Sequence, residues 1–248
     1  MLINVGILNA CTPQDEQDFK AKEIDSFQRL LASPNIKLVE YRITEGAFPA
    51  SPNECDAYVI TGSPKGVYDD DAWIVTLSDF IQACYHSQIK LVGICFGHQI
   101  LAHALGGHAE KSTKGWGLGL SDLMIHTNDI EQLAWMEPPL PTGSFYFCHQ
   151  DQVTQLPDGA SHLGGSAFCP NGLFVMGHQV LATQAHPEFT HEIMAEAFAW
   201  LRPHLDGAFM DAAEANLNTG QPDNAVMAQW IVNFLLTKSE CSDLREVT

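Results

Sequence analysis

One cysteine in the middle of the chain lies in a context that favours a reactive thiol. Cys95 stands between Gly93 and Gly97 in a G-x-C-x-G pattern, after the apolar run at 91–94. This is the cysteine version of a nucleophile elbow, in which small residues let a strand and a helix approach across a tight turn. The dipole and free N–H groups of the following helix favour a thiolate. The pattern predicts a nucleophile with its side chain exposed at the turn, and the alternative is a buried structural cysteine.

A thiol nucleophile needs a base that is close in space, and His186 is the best candidate. Pro187 biases the histidine towards an extended backbone. Residues two apart in an extended chain point to the same side, so Glu188 is placed to orient the imidazole. The three residues predict a Cys-His-Glu triad with Cys95 as nucleophile. The alternative for a histidine at a strand end is a surface or capping residue.

The first half of the chain alternates between apolar runs and helical stripes. Buried strands are predicted at 2–8, 37–43, 57–60 and 91–94. Helices are predicted within 19–31, within 73–84 and after Cys95, with a polar loop before the first of them. This order is typical of a doubly wound parallel sheet, where sites form beyond the carboxyl ends of the strands. Both Cys95 and the loop at 61–66 fall at such ends.

The second half contains shorter apolar segments separated by Gly, Pro and Asn. They predict an antiparallel or mixed layer at one edge of the sheet, from strands at 118–125, 145–148, 162–168, 173–176 and 180–184. A helix capped by Thr190 follows. We therefore expect a three-layer, flavodoxin-like α/β fold with a mostly parallel sheet and a small antiparallel edge. Its domain would span 1–206, and 207–248 would form a helical extension packed on it.

Composition excludes several classes of partner. The net charge of −18 disfavours nucleic acid and anionic membranes as partners. The sequence has no apolar run long enough for a membrane span, and its first residues lack the basic flank and cleavage site of a signal peptide. The seven cysteines include no C-x-x-C pair. They argue against a zinc site or a disulfide framework and favour reduced thiols in the cytoplasm.

Two separate motifs resemble those of class I glutamine amidotransferase domains. They are the elbow G-I-C-F-G-H-Q at 93–99 and the H-P-E at 186–188, and the resemblance extends from the first strand to about Leu201. It implies hydrolysis of a γ-glutamyl amide through a thioester on Cys95, with release of ammonia and without a cofactor. It also implies an oxyanion hole from the backbone N–H groups of Ser63 and Phe96, and a position near the glutamyl group for Gln99.

A third segment, C-H-Q-D-Q-V at 148–153, resembles the family's substrate-side His-x-Asp-x-Val. It assigns His149, Gln150 and Asp151 to substrate binding, although an ordinary loop is the alternative for the last two. Gln150 stands where the glutaminase domains of GMP synthases have glycine. The H-Q-D-x-V form is more similar to the plant γ-glutamyl peptidases, which cleave γ-glutamyl bonds in glutathione conjugates. The segment K-G-W-G at 114–117 lacks the acidic residue that many members carry there.

The preferred hypothesis is a hydrolase that acts on a small γ-glutamyl substrate, either glutamine or a γ-glutamyl peptide. No S-G-G-x-D-S or Walker-type loop is present to activate an ammonia acceptor. One alternative is a glutaminase subunit that feeds a separate synthetase partner. Another is a non-catalytic relative in which Cys95 is a redox-sensing thiol. No metal site is expected, because Gly106-Gly107 separates His108 from His98 and His103, and the aspartates at 69–71 resemble a solvated turn.

Overall fold

The computed structural model describes residues 2–126 and 133–237 of the chain. Five parallel strands form one half of a nine-stranded sheet, in the order β2-β1-β3-β4-β11. They are β1 (Ile3–Asn9), β2 (Ile36–Arg42), β3 (Ala57–Ile60), β4 (Lys90–Ile94) and β11 (Val180–Thr183). Every residue of β3, β4 and β11 is buried. Such strands need apolar side chains on both faces, which explains their continuous apolar runs.

The other half of the sheet is antiparallel and continues from β11 in the order β10-β9-β6-β7. Its strands are β6 (Gly117–Ile125), β7 (Thr142–His149), β9 (Ser161–Gly165) and β10 (Leu173–Met176). A separate antiparallel pair joins β5 (His108–Lys111) to β8 (Asp151–Gln155). Only Gln150 separates β7 from β8, so the chain changes sheet at this residue. The predicted combination of a doubly wound sheet and an antiparallel part is confirmed.

Helices cover both faces of the sheet and complete the three layers. They are α1 (Pro13–Asp18), α2 (Glu23–Leu30), α3 (Ala72–His86), α4 (Phe96–Ala104), α5 (His191–Leu201), α6 (Gly207–Leu217) and α7 (Asn224–Leu236). Helices α2 and α7 pack into one apolar core, and α3 and α4 pack into a second core on the opposite face. A third cluster joins α5 and α6 to β6 and β7. No helix in the described ranges combines the length and apolarity needed to cross a membrane.

The prediction of a polar loop after β1 is wrong, because α1 forms there. Thr12 and Asp15 make a reciprocal capping box at its start, and Pro13 occupies the first turn. This local signal outweighs the low apolar content of the segment. Phe19 was predicted on the apolar face of a helix, but it lies between α1 and α2. It packs instead against Trp200, with 5.4 Å between the ring centroids.

The C-terminal helices contribute to the main cores. Trp230 and Phe234 of α7 are almost completely buried, and the Trp230 Nε1 donates a hydrogen bond to the Pro138 carbonyl at 2.9 Å. The buried Lys90 of β4 donates to the Phe234 carbonyl near the end of the helix. A boundary at residue 206 stays a prediction, and residues 238–248 of the predicted extension lie outside the described part of the chain.

Glycine is required at both elbow positions because a side chain there would clash with neighbouring backbone. A Cβ added to Gly97 would lie 2.3 Å from the Ile60 carbonyl oxygen, and one added to Gly93 would lie 2.3 Å from the Gly97 oxygen. Both contacts are with backbone, so a larger residue would push β3, β4 and α4 apart. The G-x-C-x-G pattern is therefore a packing requirement at the turn that carries Cys95.

We expect Gly97→Ala to lower the free energy of unfolding by about 1–3 kcal/mol or more, because the added methyl overpacks the helix against β3. Denaturant unfolding of the purified variant measures this loss. Gly207→Ala is the matched control, since a Cβ there meets no atom within 4 Å. Equal stability of the two variants would show that the close approach at Gly97 does not matter.

Candidate active site

A cleft of about 500 Å³ lies at the carboxyl ends of the parallel strands. The residues that line it include several from the segments within five residues after β1, β3, β4 and β11, namely Cys11, Gly62, Ser63, Cys95, His186 and Glu188. Because parallel strands end at one edge of the sheet, segments that are far apart in sequence converge there. The sheet thus brings Cys95, His186 and Glu188 to a single cavity.

Cys95 occupies the tight turn between β4 and α4. Its backbone has φ 53° and ψ −104°, a left-handed conformation that a side-chain-bearing residue rarely adopts. The Cys95 N–H donates to the Thr183 carbonyl at 2.9 Å, which ties the turn to β11. The prediction of an exposed side chain is wrong, since Cys95 is only 6% exposed. Its Sγ lies at the base of the cleft, 3.9 Å from the Cys148 carbonyl oxygen of β7.

His186 and Glu188 form a buried pair in the loop after β11. The Nδ1 of His186 and the Oε1 of Glu188 are 2.7 Å apart, and both side chains are at most 5% exposed. This bond orients the ring and leaves Nε2 for another partner. The His186 ring also stacks on Phe189, with 4.0 Å between centroids and 20° between planes. The imidazole is therefore fixed by a carboxylate at one nitrogen and by an aromatic ring on one face.

The side chains of Cys95 and His186 meet across Gly62. A Cβ at Gly62 would lie 3.2 Å from the His186 Cε1 and 3.8 Å from the Cys95 Cβ, so the glycine leaves room for both side chains. Burial lowers the pKa of His186, but the negative charges of Glu188 and Cys95 more than offset this effect. The pKa of His186 is raised well above its ordinary value. The arrangement favours the imidazolium form of His186.

The two residues predicted to supply oxyanion-hole donors are Phe96, which directly follows Cys95, and Ser63, which follows β3. Phe96 begins α4, where the first N–H groups of a helix have no intrahelical acceptor. Ser63 lies in the loop after β3, and its Oγ accepts a hydrogen bond from the Lys65 N–H at 3.2 Å. The serine side chain thus makes a hydrogen bond within its own loop. Ser63 and Cys95 both line the cleft.

The four predicted substrate residues also line the cleft. Gln99 is buried, and its Nε2 donates to the Asp151 carbonyl at 2.9 Å and to the Gln184 Oε1 at 3.1 Å. The Nδ1 of His149 lies 3.0 Å from the same Asp151 carbonyl. These bonds fix the junction between β7 and β8, which places the Gln150 and Asp151 side chains at the cleft.

Sequence reasoning missed several residues of the cleft. Charged and hydroxyl groups near Asp151 form a polar end of the cleft, and they are contributed by Lys65, Tyr68, Asp69 and Lys111. Other parts of the wall are aromatic and are contributed by Phe19, Trp116, Phe189 and Trp200, and Glu23 also lines the cleft. These residues come from several segments of the chain and share no sequence period. The loop after β3 gave the only local signal, through its position beyond a strand end.

Three of the groups considered for metal binding, His98, Asp69 and Asp71, have other partners. His98 is fully buried, its Nε2 lies 2.8 Å from the Asn171 carbonyl, and burial lowers its pKa to about 3. Asp71 pairs with Lys65 at 2.8 Å, and Asp69 accepts from the Gly66 N–H at 3.2 Å. No cluster of three potential metal ligands occurs in residues 2–126 and 133–237. These aspartates hold the loop after β3 in place.

Known proteins share both the sequence and the fold. Residues 18–199 match the family described as glutamine amidotransferase class I. The gamma-glutamyl peptidase 3 of Arabidopsis thaliana is 34% identical over 203 residues, which cover 79% of this chain and 81% of that protein. The glutamine-hydrolyzing GMP synthase of Porphyromonas gingivalis is 30% identical over 134 residues, or 54% of this chain and 25% of the synthase.

A solved structure of a glutamine amidotransferase from Methylobacillus flagellatus superimposes with a TM-score of 0.74 and 20% identity, covering 95% of this chain and 93% of that one. At this identity the superposition establishes the fold alone. The family match covers most of the chain, and it includes the elbow and the H-P-E segment. The chain therefore belongs to the class I glutamine amidotransferase family.

Proposed function

We propose that the protein hydrolyses the γ-glutamyl bond of a small amide or peptide, with Cys95 as nucleophile, His186 as general acid and base, and Glu188 as its orienting partner. The observation that carries the proposal is the buried His186–Glu188 pair, 2.7 Å apart, in one cleft with a cysteine on a strained elbow. Family membership supports an amidohydrolase. The similarity to a gamma-glutamyl peptidase supports a γ-glutamyl bond as the bond that is hydrolysed.

In the acylation step, the Cys95 thiolate forms a C–S bond with the γ-carbonyl carbon, and the C=O π pair becomes an oxyanion. The backbone N–H groups of Ser63 and Phe96 stabilise that charge, and each such donor typically contributes about 10²–10³ in rate. When the C=O bond re-forms, the C–N bond breaks and the nitrogen takes a proton from the His186 imidazolium. The products are a γ-glutamyl thioester and a free amine.

In the deacylation step, neutral His186 removes a proton from water as the oxygen attacks the thioester carbon. The C–S bond then breaks and returns the electron pair to sulfur, which restores the thiolate and the imidazolium. Glu188 keeps Nε2 directed at the reacting atoms in both steps and stabilises the positive ring. Each cycle consumes one water molecule and releases glutamate.

The polar end of the cleft is suited to hold the glutamyl group. A free glutamyl group carries an α-ammonium and an α-carboxylate, and this end offers Asp69 and Asp151 to the first and Lys65 and Lys111 to the second. The Tyr68 ring packs on the Gly66 backbone at this end, since a Cβ on that glycine would lie 2.7 Å from the ring. Opposite charges in one pocket select a zwitterion over a simple amide.

We expect kcat/KM for at least one γ-glutamyl peptide to exceed that for glutamine by about tenfold, equivalent to about 1.4 kcal/mol. The leaving group of glutamine is only ammonia, whereas a larger one can use binding energy in the transition state. Steady-state assays of the lone protein on glutamine and γ-glutamyl dipeptides measure the ratio. A preference for glutamine would contradict the peptidase function.

Gln150 provides a variant for the same assay. Its side chain lies at the cleft where related glutaminase domains have glycine, and it offers donors and an acceptor to a peptide-like leaving group. Gln150→Gly is therefore expected to reduce the peptide-to-glutamine ratio. An unchanged ratio would show that this side chain does not contact the leaving group.

The alternative of a glutaminase subunit is favoured by one observation, the match to a quarter of the Porphyromonas gingivalis GMP synthase. Under this alternative, the lone protein would hydrolyse glutamine and γ-glutamyl peptides at negligible rates until a synthetase partner is added. High turnover without a partner would instead support the stand-alone hydrolase. The same turnover would exclude a purely redox-sensing role for Cys95.

A further inference from the structure

The walls of the cleft contain two chemically different groups of side chains. The glutamyl end contains Lys65, Tyr68, Asp69, Lys111 and Asp151, which are near neighbours of one another. The second group, which we call the aromatic end, contains Phe19, Glu23, Trp116, Phe189, Ile193 and Trp200. Two chemically distinct groups in the cleft that holds Cys95 fit a substrate whose two halves differ in polarity.

The position of His186 decides which end receives the leaving group. In the proposed reaction, the nitrogen of the broken bond takes its proton from His186, so the departing amine must pass beside this ring. Phe189 stacks on the same ring at 4.0 Å and belongs to the aromatic end. The leaving group therefore extends towards that end.

The walls of the aromatic end favour an apolar stem. Phe19 and Trp200 pack against each other with 5.4 Å between ring centroids, and they join the loop before α2 to α5. Trp116, Phe189 and Trp200 also pack on the apolar cluster beneath α5 and α6. Rings supported in this way offer a rigid apolar surface, and their faces also attract cations.

Glu23 is the one acidic residue that lines the aromatic end besides Glu188. It begins α2, and its Oε2 is buried without a hydrogen-bond partner in residues 2–126 and 133–237. The charged and titratable groups that face it are Cys11, Glu16 of α1, His186 and Glu188. Burial, and next the negative charge of Glu188, raise the pKa of Glu23 to about 8. A buried acceptor that lacks a donor is costly unless a ligand supplies one.

We propose that the aromatic end is a leaving-group subsite for a primary amine that carries a second, positively charged nitrogen on an apolar stem, with Glu23 as the specificity-determining residue. The inference rests on the proposed function. On cleavage, the amide nitrogen takes the proton from His186 and departs as the free amine, while the distal ammonium lies between the Glu23 carboxylate and the aromatic faces. An ammonium near Glu23 also favours its ionised form, so binding near neutral pH releases a proton.

Two of the three basic side chains near this end have partners of their own. Lys20 pairs with Glu196 at 2.8 Å, and Arg29 donates to the Ser26 Oγ at 3.0 Å. Together with Lys22 they line an adjacent depression beyond Ser26 and Ile193, outside the cleft. They do not supply a cation to Glu23, whose pKa reflects no basic neighbour except His186. A carboxylate-bearing leaving group would place its charge against Glu23.

Three γ-glutamyl amides with four-carbon stems test the inference, and they derive from butylamine, 1,4-diaminobutane and 4-aminobutanoate. They present a methyl, an ammonium and a carboxylate at the same distance from the broken bond. With the wild-type protein at pH 8.5, we expect kcat/KM for the ammonium-ended amide to exceed that for the methyl-ended amide by about tenfold or more. The carboxylate-ended amide should be the poorest of the three.

The ratio of the first two specificity constants should also depend on pH. It should rise as pH increases through about 8, because Glu23 becomes ionised while the distal ammonium stays charged. Groups that act on both substrates, such as His186, cancel in this ratio. In Glu23→Gln the ratio should fall to about one and become independent of pH. Asp25→Asn, which removes an exposed charge from the same helix, should keep the wild-type ratio and its pH dependence.

A wild-type ratio near one, or one that does not change with pH, would overturn the inference, and this measurement does not depend on whether the variant folds. A preference for the carboxylate-ended amide would overturn it as well. If glutamine is hydrolysed but none of the three amides is, the subsite fails while the proposed function stands. If no γ-glutamyl substrate is hydrolysed, both fail.

Discussion

Replacement of Cys95 by serine is expected to reduce γ-glutamyl hydrolysis by about 10⁴-fold or more, because no other group at the elbow can form the acyl intermediate. A serine hydroxyl next to His186 is not ionised at neutral pH. The site at position 95 is also shaped for a sulfur atom, which is larger than oxygen. Steady-state assays on the best γ-glutamyl substrate measure the loss. A variant that retains more than a few per cent of wild-type turnover would contradict the assignment of Cys95 as the nucleophile.

The same substitution should leave the free energy of unfolding nearly unchanged. Serine differs from cysteine only in the smaller oxygen atom, and the Cys95 Sγ lines the cleft with a long contact of 3.9 Å to the Cys148 carbonyl oxygen. Cys55→Ser is the matched control, since this thiol is also buried but precedes β3, at the opposite edge of the sheet. We expect the control to retain activity, which would separate loss of the nucleophile from the general effect of removing a thiol.

The parallel half of the fold could be predicted because its signals are local. Strands buried on both faces require continuous apolar runs, and the two elbow glycines mark the close approach of α4 to β3 and β4. The position of Cys95 followed from this pattern. Its burial did not, because the atom that covers it is a carbonyl of β7, more than fifty residues away in the chain. Exposure at a turn depends on what packs over it.

The aromatic end of the cleft could not be predicted for a similar reason. Phe19, Glu23, Trp116 and Trp200 come from four different segments, and each has an ordinary local explanation as part of a helix or a loop. Phe19 illustrates this most clearly, because α1 starts at the Thr12 capping box and ends at Asp18, which leaves the Phe19 ring beyond the helix, where it meets Trp200. Only the tertiary fold makes these side chains neighbours.

Loss of the imidazole in His186→Ala is expected to be almost as damaging as loss of the thiol, at about 10³–10⁴-fold or more in kcat/KM, because the members of a triad act as a unit. Without the ring, no group protonates the leaving nitrogen or removes the proton from water. Glu188→Gln should be milder, since Glu188 orients His186 and stabilises its charge without touching the substrate. Side-by-side kinetics on one γ-glutamyl substrate give the order of the effects.

The pH profile of kcat/KM for Glu188→Gln distinguishes loss of the charge that acts on His186 from a general disruption of the site. Its negative charge raises the pKa of His186, so the imidazolium that serves as general acid is lost only at high pH. Glutamine keeps a hydrogen-bond acceptor at 188 but removes the charge. The pKa of His186 should therefore fall, and the alkaline limb of kcat/KM should move to lower pH. Glu192→Gln, which changes an exposed carboxylate in the first turn of α5, should not move it. An alkaline limb that stays in place in Glu188→Gln, or a larger loss of activity than in His186→Ala, would contradict the roles proposed for the pair.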